Sequence, residues 1–167
     1  MILFDFKKAF DLIDHRILVR KLGACNIDIP AAVISWTTDF LTLRKERVKL
    51  GHDCFSEWDA VPAGRPQGTK LGLWLFIIVI NKLDVPCTDL LKYVDDTTIS
   101  EMITKNQDNH IQAAVDTLVS RATEDKFQLN ETKCKELLIN FNSNNPTSFD
   151  PVVVNGTPID LVTSAKY

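Results

Sequence analysis

The stretch KYVDDTTIS, residues 92–100, sets two aspartates, Asp95 and Asp96, side by side among apolar and β-branched neighbours. Successive residues of a regular strand point to opposite faces, so both carboxylates serve one place only if the chain turns there. The flanks predict that turn. LLKYV before the pair and TTI after it suit two strands, with Asp95-Asp96 at the tip of a tight hairpin. Two unit charges about 4 Å apart repel by roughly 4 kcal/mol at an effective dielectric near 20. One carboxylate then keeps a proton, or a cation sits between the two. A solvated turn, where Asp is common for conformational reasons, is the plainer alternative.

A third carboxylate bears on the choice. Asp5 ends the apolar run MILF, residues 1–4, and an acid closing a buried strand is unusual. If the two strands are neighbours in a sheet, Asp5 faces the Asp95 tip. Three carboxylates can hold two Mg²⁺ about 3.5–4 Å apart, a pair suited to in-line phosphoryl displacement.

Working outward, HRILVRKLG carries apolar residues at Ile17, Leu18 and Leu22 and a stop at Gly23, a helix pattern. A second helix is predicted from Pro30 to about Leu43, with Val33, Ile34, Phe40 and Leu41 on its buried face. Residues 47–50 and 55–61 read as a hairpin around Gly51-His52-Asp53, followed by the loop PAGRPQG, residues 62–68. An apolar helix is expected over about 69–83, and another over about 108–126, where Ile111, Val115, Leu118, Val119 and Ala122 keep a helical period. Residues 136–141 are strand-like. Residues 152–162 read as a hairpin with Asn155-Gly156 as a type I′ turn. Helices alternate with frequent hairpins. This suits an α+β fold with helices packed on one face of a mainly antiparallel sheet.

At 167 residues the chain is long enough for one domain with a real core. A net charge of −3 means that a polyanion must meet a local basic patch, not a basic whole. Lys and Arg cluster in residues 7–21 and in LRKERVK, residues 43–49, where a solvated face is the plainer reading. The four cysteines lack metal-site or CxxC spacing and read as reduced thiols of an intracellular protein. The ten-residue run LGLWLFIIVI is too short for a membrane span, which needs roughly 20 residues. His15, His52 and His110 show no ligand pattern and read as structural or surface residues. The two N-x-T sequons, at Asn130 and Asn155, carry no weight by themselves.

Several of these stretches together resemble the palm of a reverse transcriptase of the non-LTR (LINE-type) retrotransposon kind. FDFKKAFDLIDH, residues 4–15, resembles the first carboxylate motif, and GRPQGTKLGLWLF, residues 64–76, the PQG loop and following helix. YVDD, residues 93–96, is similar to the signature hairpin. LNETKCKELLINF, residues 129–141, resembles the later lysine motif, and SAKY, residues 164–167, the start of the primer grip. The resemblance spans essentially the whole chain, residues 1–167, as a single palm fragment. It implies that most of the fingers and the thumb lie outside it, along with the positioning they supply.

The resemblance implies roles. Asp5, Asp95 and Asp96 would be ligands of two Mg²⁺ (Mn²⁺ also possible), with the Phe6 carbonyl as a backbone ligand. Phe10 would be the steric gate against a ribose 2′-OH, with a plain core Phe as the alternative. Gln67 would touch the incoming nucleotide and the templating base, and Gly68 would let the backbone approach closely. Tyr93 and Val94 would pack near the primer terminus or serve the strand core. Lys133 would approach the triphosphate and act as general acid toward pyrophosphate, with Lys135 as its rival. Arg44, Lys45 and Arg47 would touch template phosphate. Partners would be an RNA template, a DNA primer and a dNTP, with no membrane. The departures are Arg65 where the family usually has Val, Leu73 for a usual Pro, and Asn81-Lys82-Leu83 for a usual Asn-Asp-Leu. Two other readings stay open: a catalytically inactive retroelement-derived fragment with the palm fold, and another palm-fold enzyme such as a nucleotide cyclase.

Overall fold

The structure is a computed structural model that describes residues 1–24, 29–64, 68–86, 88–104, 108–141 and 149–164. In chain order its elements are β1 (Ile2–Phe4), α1 (His15–Gly23), α2 (Ala31–Leu41), β2 (Lys45–Glu46), β3 (Asp59–Ala60) and α3 (Lys70–Asn81). There follow β4 (Asp89–Tyr93), β5 (Asp96–Ser100), α4 (Ile111–Glu124), β6 (Lys135–Leu137), β7 (Val153–Val154), β8 (Thr157–Pro158) and β9 (Asp160–Val162). The chain divides into two compact units, one of Met1–Ala9 with Lys82–Tyr167, the other Phe10–Asn81.

The first unit is built on a five-stranded sheet in the order β4-β5-β1-β6-β9. Apolar Ile2, Leu3 and Phe4 make β1 a fully buried central strand, antiparallel to β5 on one side and to β6 on the other. Both neighbours come from far downstream in the chain. Only β9, parallel to β6, departs from the antiparallel arrangement. The buried stripe of α4, Ile111, Ala114, Val115, Leu118 and Ala122, repeats at three- and four-residue steps and packs on β5 and β7. Val119, expected on that stripe, is only half-buried. Residues 152–162 are more than one hairpin. β7 and β8 form the predicted turn, with Asn155 at φ 49° and Gly156 at φ 77° as a type I′ turn requires, and β9 then leaves to join the main sheet. The strand expected over 136–141 ends at Leu137. Beyond it Ile139 and Phe141 are exposed.

The second unit holds α1, α2 and α3 with the β2–β3 hairpin. Asp14 caps α1, its Oδ1 accepting from the backbone N–H of Arg16 at 2.8 Å and of Ile17 at 3.3 Å. Ile17, Leu18 and Leu22 are buried where α1 packs on α2 and α3. Lys21 is buried with them, and its ammonium donates to the Val79 carbonyl at 2.8 Å. That carbonyl belongs to the last turn of α3, where a cation meets both an orphan acceptor and the negative end of the helix dipole. In α2 the buried residues are Thr37 and Leu41; of the expected set only Leu41 is buried. Val33 is 45% exposed, while Ile34 and Phe40 are half-buried. Trp36 and Phe40 instead stack on each other at 5.8 Å, four residues apart. On α3 the buried face is Gly72, Leu75, Phe76, Val79 and Ile80, while Leu73, Trp74 and Ile77 are exposed. No described helix is long and apolar enough to cross a membrane.

Candidate active site

The YVDD stretch forms a hairpin, but its tip is one residue earlier than predicted. Tyr93 pairs with Asp96, so Val94 and Asp95 are the two turn residues and Asp96 opens β5. Of these two only Val94 has a positive φ, at 58°. A β-branched residue is rarely held there, because its Cβ crowds the backbone. The turn therefore carries strain beside the two carboxylates it presents.

Asp5 reaches the same end of the sheet for a simple reason. Phe4 pairs with Thr97 across β1 and β5, and one further step sets Asp5 opposite Asp96. Directly opposed residues share a face of the sheet. The electrostatics agree: desolvation first, then the charges of Asp95 and Asp5, push the Asp96 carboxyl above the usual aspartate range. The sheet thus brings the charges of Asp95 and Asp5 to bear on Asp96 at one end of its strands. Among the described residues, however, no group of three or more His, Cys, Asp or Glu side chains is gathered as a metal-holding cluster. The donors fit a hard divalent cation in kind, being carboxylate oxygens with one member that resists ionising beside its neighbours.

Asp5 is fixed from its other side by a residue the sequence reading overlooked. Asn130 donates from its side-chain Nδ2 to Asp5 Oδ2 at 3.0 Å, and its backbone N–H donates to the Asp5 carbonyl at 2.8 Å. Lys133 Nζ lies 3.9 Å from the same Oδ2. Lys135 points elsewhere, to Asp160 at 2.7 Å and the Thr132 carbonyl. Of the two rival lysines, Lys133 is the one beside Asp5. Glu131, between Asn130 and Lys133 in sequence, accepts from Asn155 at 2.8 Å and Lys7 at 3.0 Å. These bonds, Asn155 first, hold its carboxyl down to about 2. The signal for Asn130 was the lysine motif itself, whose polar residues precede the strand that lines β1.

The remaining residues fall as follows. Phe6 is buried, bridges to Leu129 and packs its ring on Phe127 at 5.3 Å. Phe10, half-buried in the second unit, packs its ring on Phe76 at 4.5 Å. Tyr93 is 79% exposed, which rules out a strand-core role; Val94 is half-buried. Gln67, Arg65 and residues 165–167 lie outside the described residues. Gly68 has φ 75°, and no described residue lies within 4 Å of where a Cβ would stand. Gly64, at φ 88°, is more constrained: a Cβ there would meet the Asp11 carbonyl oxygen at 2.8 Å. His15 Nε2 sits 2.7 Å from the Gly64 carbonyl, a structural role as expected. Arg44 is taken up by Glu46 at 2.5 Å and by the Phe40 ring, while Lys45 and Arg47 are exposed on β2 and just beyond it.

Residues 1–159 match the family model described as reverse transcriptase (RNA-dependent DNA polymerase). Among curated proteins none matches significantly.

Proposed function

The chain belongs to the reverse transcriptase family, and from that premise we propose that the aspartate-bearing end of the β1–β5 pair is the nucleotidyl-transfer site of an RNA-directed DNA polymerase palm. The observation that carries the reading is the register that sets Asp5 opposite Asp96, beside the Asp95 turn, within the family-matched residues. We read residues 1–167 as one such domain, of the non-LTR type, working inside the cell on an RNA template, a DNA primer and a dNTP.

In this reading Asp5, Asp95 and Asp96, with the Phe6 carbonyl, would hold two Mg²⁺, or Mn²⁺ in their place. When bound, such ions supply charge stabilisation to the attacking and leaving oxygens of an in-line displacement. The protein's own part is orientation. Asn130 holds one oxygen of Asp5 and leaves the other available to a ligand. Val94 and Tyr93 shape the hairpin on which a primer end would rest. Lys133, whose Nζ lies 3.9 Å from Asp5 Oδ2, would meet the triphosphate and give a proton to departing pyrophosphate. Gln67 and Gly68 would face the incoming nucleotide, Phe10 would exclude a 2′-OH, and Lys45 and Arg47 would meet template phosphate, while Arg44 is engaged by Glu46.

The test is Mg²⁺- or Mn²⁺-dependent extension of a DNA primer on an RNA template, with Asp95→Asn/Asp96→Asn as control. Extension that is lost in the control supports the site; extension that survives it sinks the assignment. A second reading, a palm that binds nucleic acid without synthesis, is favoured by the Lys133 ammonium already lying 3.9 Å from Asp5. Oligonucleotide binding that does not depend on Mg²⁺ or Mn²⁺, without extension, is its expected result.

A further inference from the structure

We propose that one face of the β2–β3 hairpin is a stacking platform for single-stranded nucleic acid, carried by Arg47, Phe55 and Trp58 with Lys45 and Lys49. The inference rests on the polymerase reading for the class of its partner, and on the hairpin's own geometry for everything else.

Strand parity sorts this hairpin's charges. Lys45 pairs with Ala60 and Glu46 with Asp59, while farther out Lys49 bridges to Phe55. From Glu46 to Lys49 is three steps, whereas from Phe55 to Asp59 is four, so the returning strand carries one extra residue, a bulge. The bulge re-aims the chain so that Phe55 and Trp58, of opposite parity, come to the same face. The rings record it. The Arg47 guanidinium lies 4.0 Å from the Phe55 ring centre and 4.6 Å from that of Trp58, and Lys49 Nζ is 5.8 Å from Phe55. Lys45, Arg47 and Lys49 alternate onto this face. The acids Glu46 and Asp59, paired across the strands, fall on the other, where Glu46 takes up Arg44.

One face is thus cationic and aromatic without the paired acids, in a chain whose net charge is −3. Trp58 is 57% and Phe55 41% exposed, so the rings are not spent on a core. Aromatic rings interleaved with Arg and Lys are the chemistry of single-strand binding: bases stack on rings and guanidinium planes, and phosphates meet the cations. A protein surface would be a poorer match, since the three cations on this face would each need an acid. Arg44 belongs to the opposite face, so Lys49 replaces it in the basic set that the sequence suggested.

The experiment is fluorescence anisotropy of labelled dT and U oligomers of about 12 nucleotides with the whole chain, at two salt concentrations. Phe55→Ala/Trp58→Ala is expected to weaken binding by about 5- to 100-fold, since stacking is the sequence-tolerant part of such sites. Lys45→Ala/Lys49→Ala is expected to flatten the salt dependence, by about 0.7 in log–log slope per lost phosphate contact. Val48→Ala, on the other face, is the control, and Trp58→Phe is expected to restore most of the binding. Unchanged binding in the aromatic variant overturns the proposal. So does an equal loss in Val48→Ala, or an aromatic variant that dissociates a self-associated chain while still binding the oligomers. Primer extension on the same preparations separates the two readings. Extension with normal binding by the aromatic variant removes the platform alone. Absent extension with the aromatic loss intact removes the polymerase reading and leaves the platform.

Discussion

Replacing Val94 first with Ala and then with Gly separates the strain of the YVDD turn from its packing. Val94 has φ 58°, a conformation that costs an L-residue roughly 1–2 kcal/mol and a glycine almost nothing. Glycine in turn loses roughly 0.5–1 kcal/mol through chain entropy. The Ala→Gly step at position 94 should therefore stabilise by up to about 1.5 kcal/mol, centred near 0.7. At Leu91, an exposed strand position of ordinary φ on the same β4, the Ala→Gly step should destabilise by about 0.5–1 kcal/mol. The difference between the two steps, about 1–2 kcal/mol, measures the turn strain without the Val side chain's own contacts. Urea unfolding reads it as a midpoint shift at constant m-value. If the two steps have the same sign and size, Val94 is not strained and the turn has been misread. With strain confirmed, primer extension by Val94→Gly would show whether the strained turn is needed to aim Asp95.

Three further predictions concern the surroundings. The Asp96 carboxyl is raised in the folded chain, so the fold binds more protons than the unfolded chain just above pH 3.8, and stability falls as pH rises through its titration; Asp95→Asn and Asp5→Asn should each shallow that fall in pH-dependent urea melts, and an unchanged slope would refute the coupling. Gly64→Ala should destabilise by about 2 kcal/mol or more, because it combines a positive φ with a clash on the Asp11 carbonyl, whereas Gly68→Ala, which meets no described residue, should cost only the φ penalty of about 1 kcal/mol; thermal melts of the pair test the ordering. Lys21→Met keeps the buried stem but leaves the Val79 carbonyl without its ammonium, and should cost about 1.5–3 kcal/mol in urea melts; a neutral result would mean that this bond is made equally well in water.

What the sequence disclosed and what it hid divide along physical lines. Asn155-Gly156 was legible because a type I′ turn needs positive φ at both positions and those residues accept it. The YVDD tip was misplaced by one residue because nothing local advertises a β-branched residue at positive φ; the pairing of Tyr93 with Asp96 imposes it. The partnership of Asp5 with Asp96 was anticipated as a condition on strand neighbours, and the register supplied the condition. Asn130 was hidden because its bond to Asp5 joins residues 125 positions apart, which no short window contains. The buried face of α2 was misjudged because apolar content was taken for burial, whereas Trp36 and Phe40 stack outward on each other and Thr37 faces inward.

The central place of β1 has a consequence for how the chain is made. Its partners in β5 lie 93 positions downstream, from Phe4 to Thr97, and those in β6 farther still. At about 5–20 residues per second, a ribosome spends roughly 5–20 s between finishing β1 and finishing its first neighbour. Throughout that interval an apolar strand with two unpaired edges waits on the growing chain, a natural client for a holding chaperone. The aspartate that anchors the candidate site is thus synthesised long before the strands that fix it and is among the last to find its place.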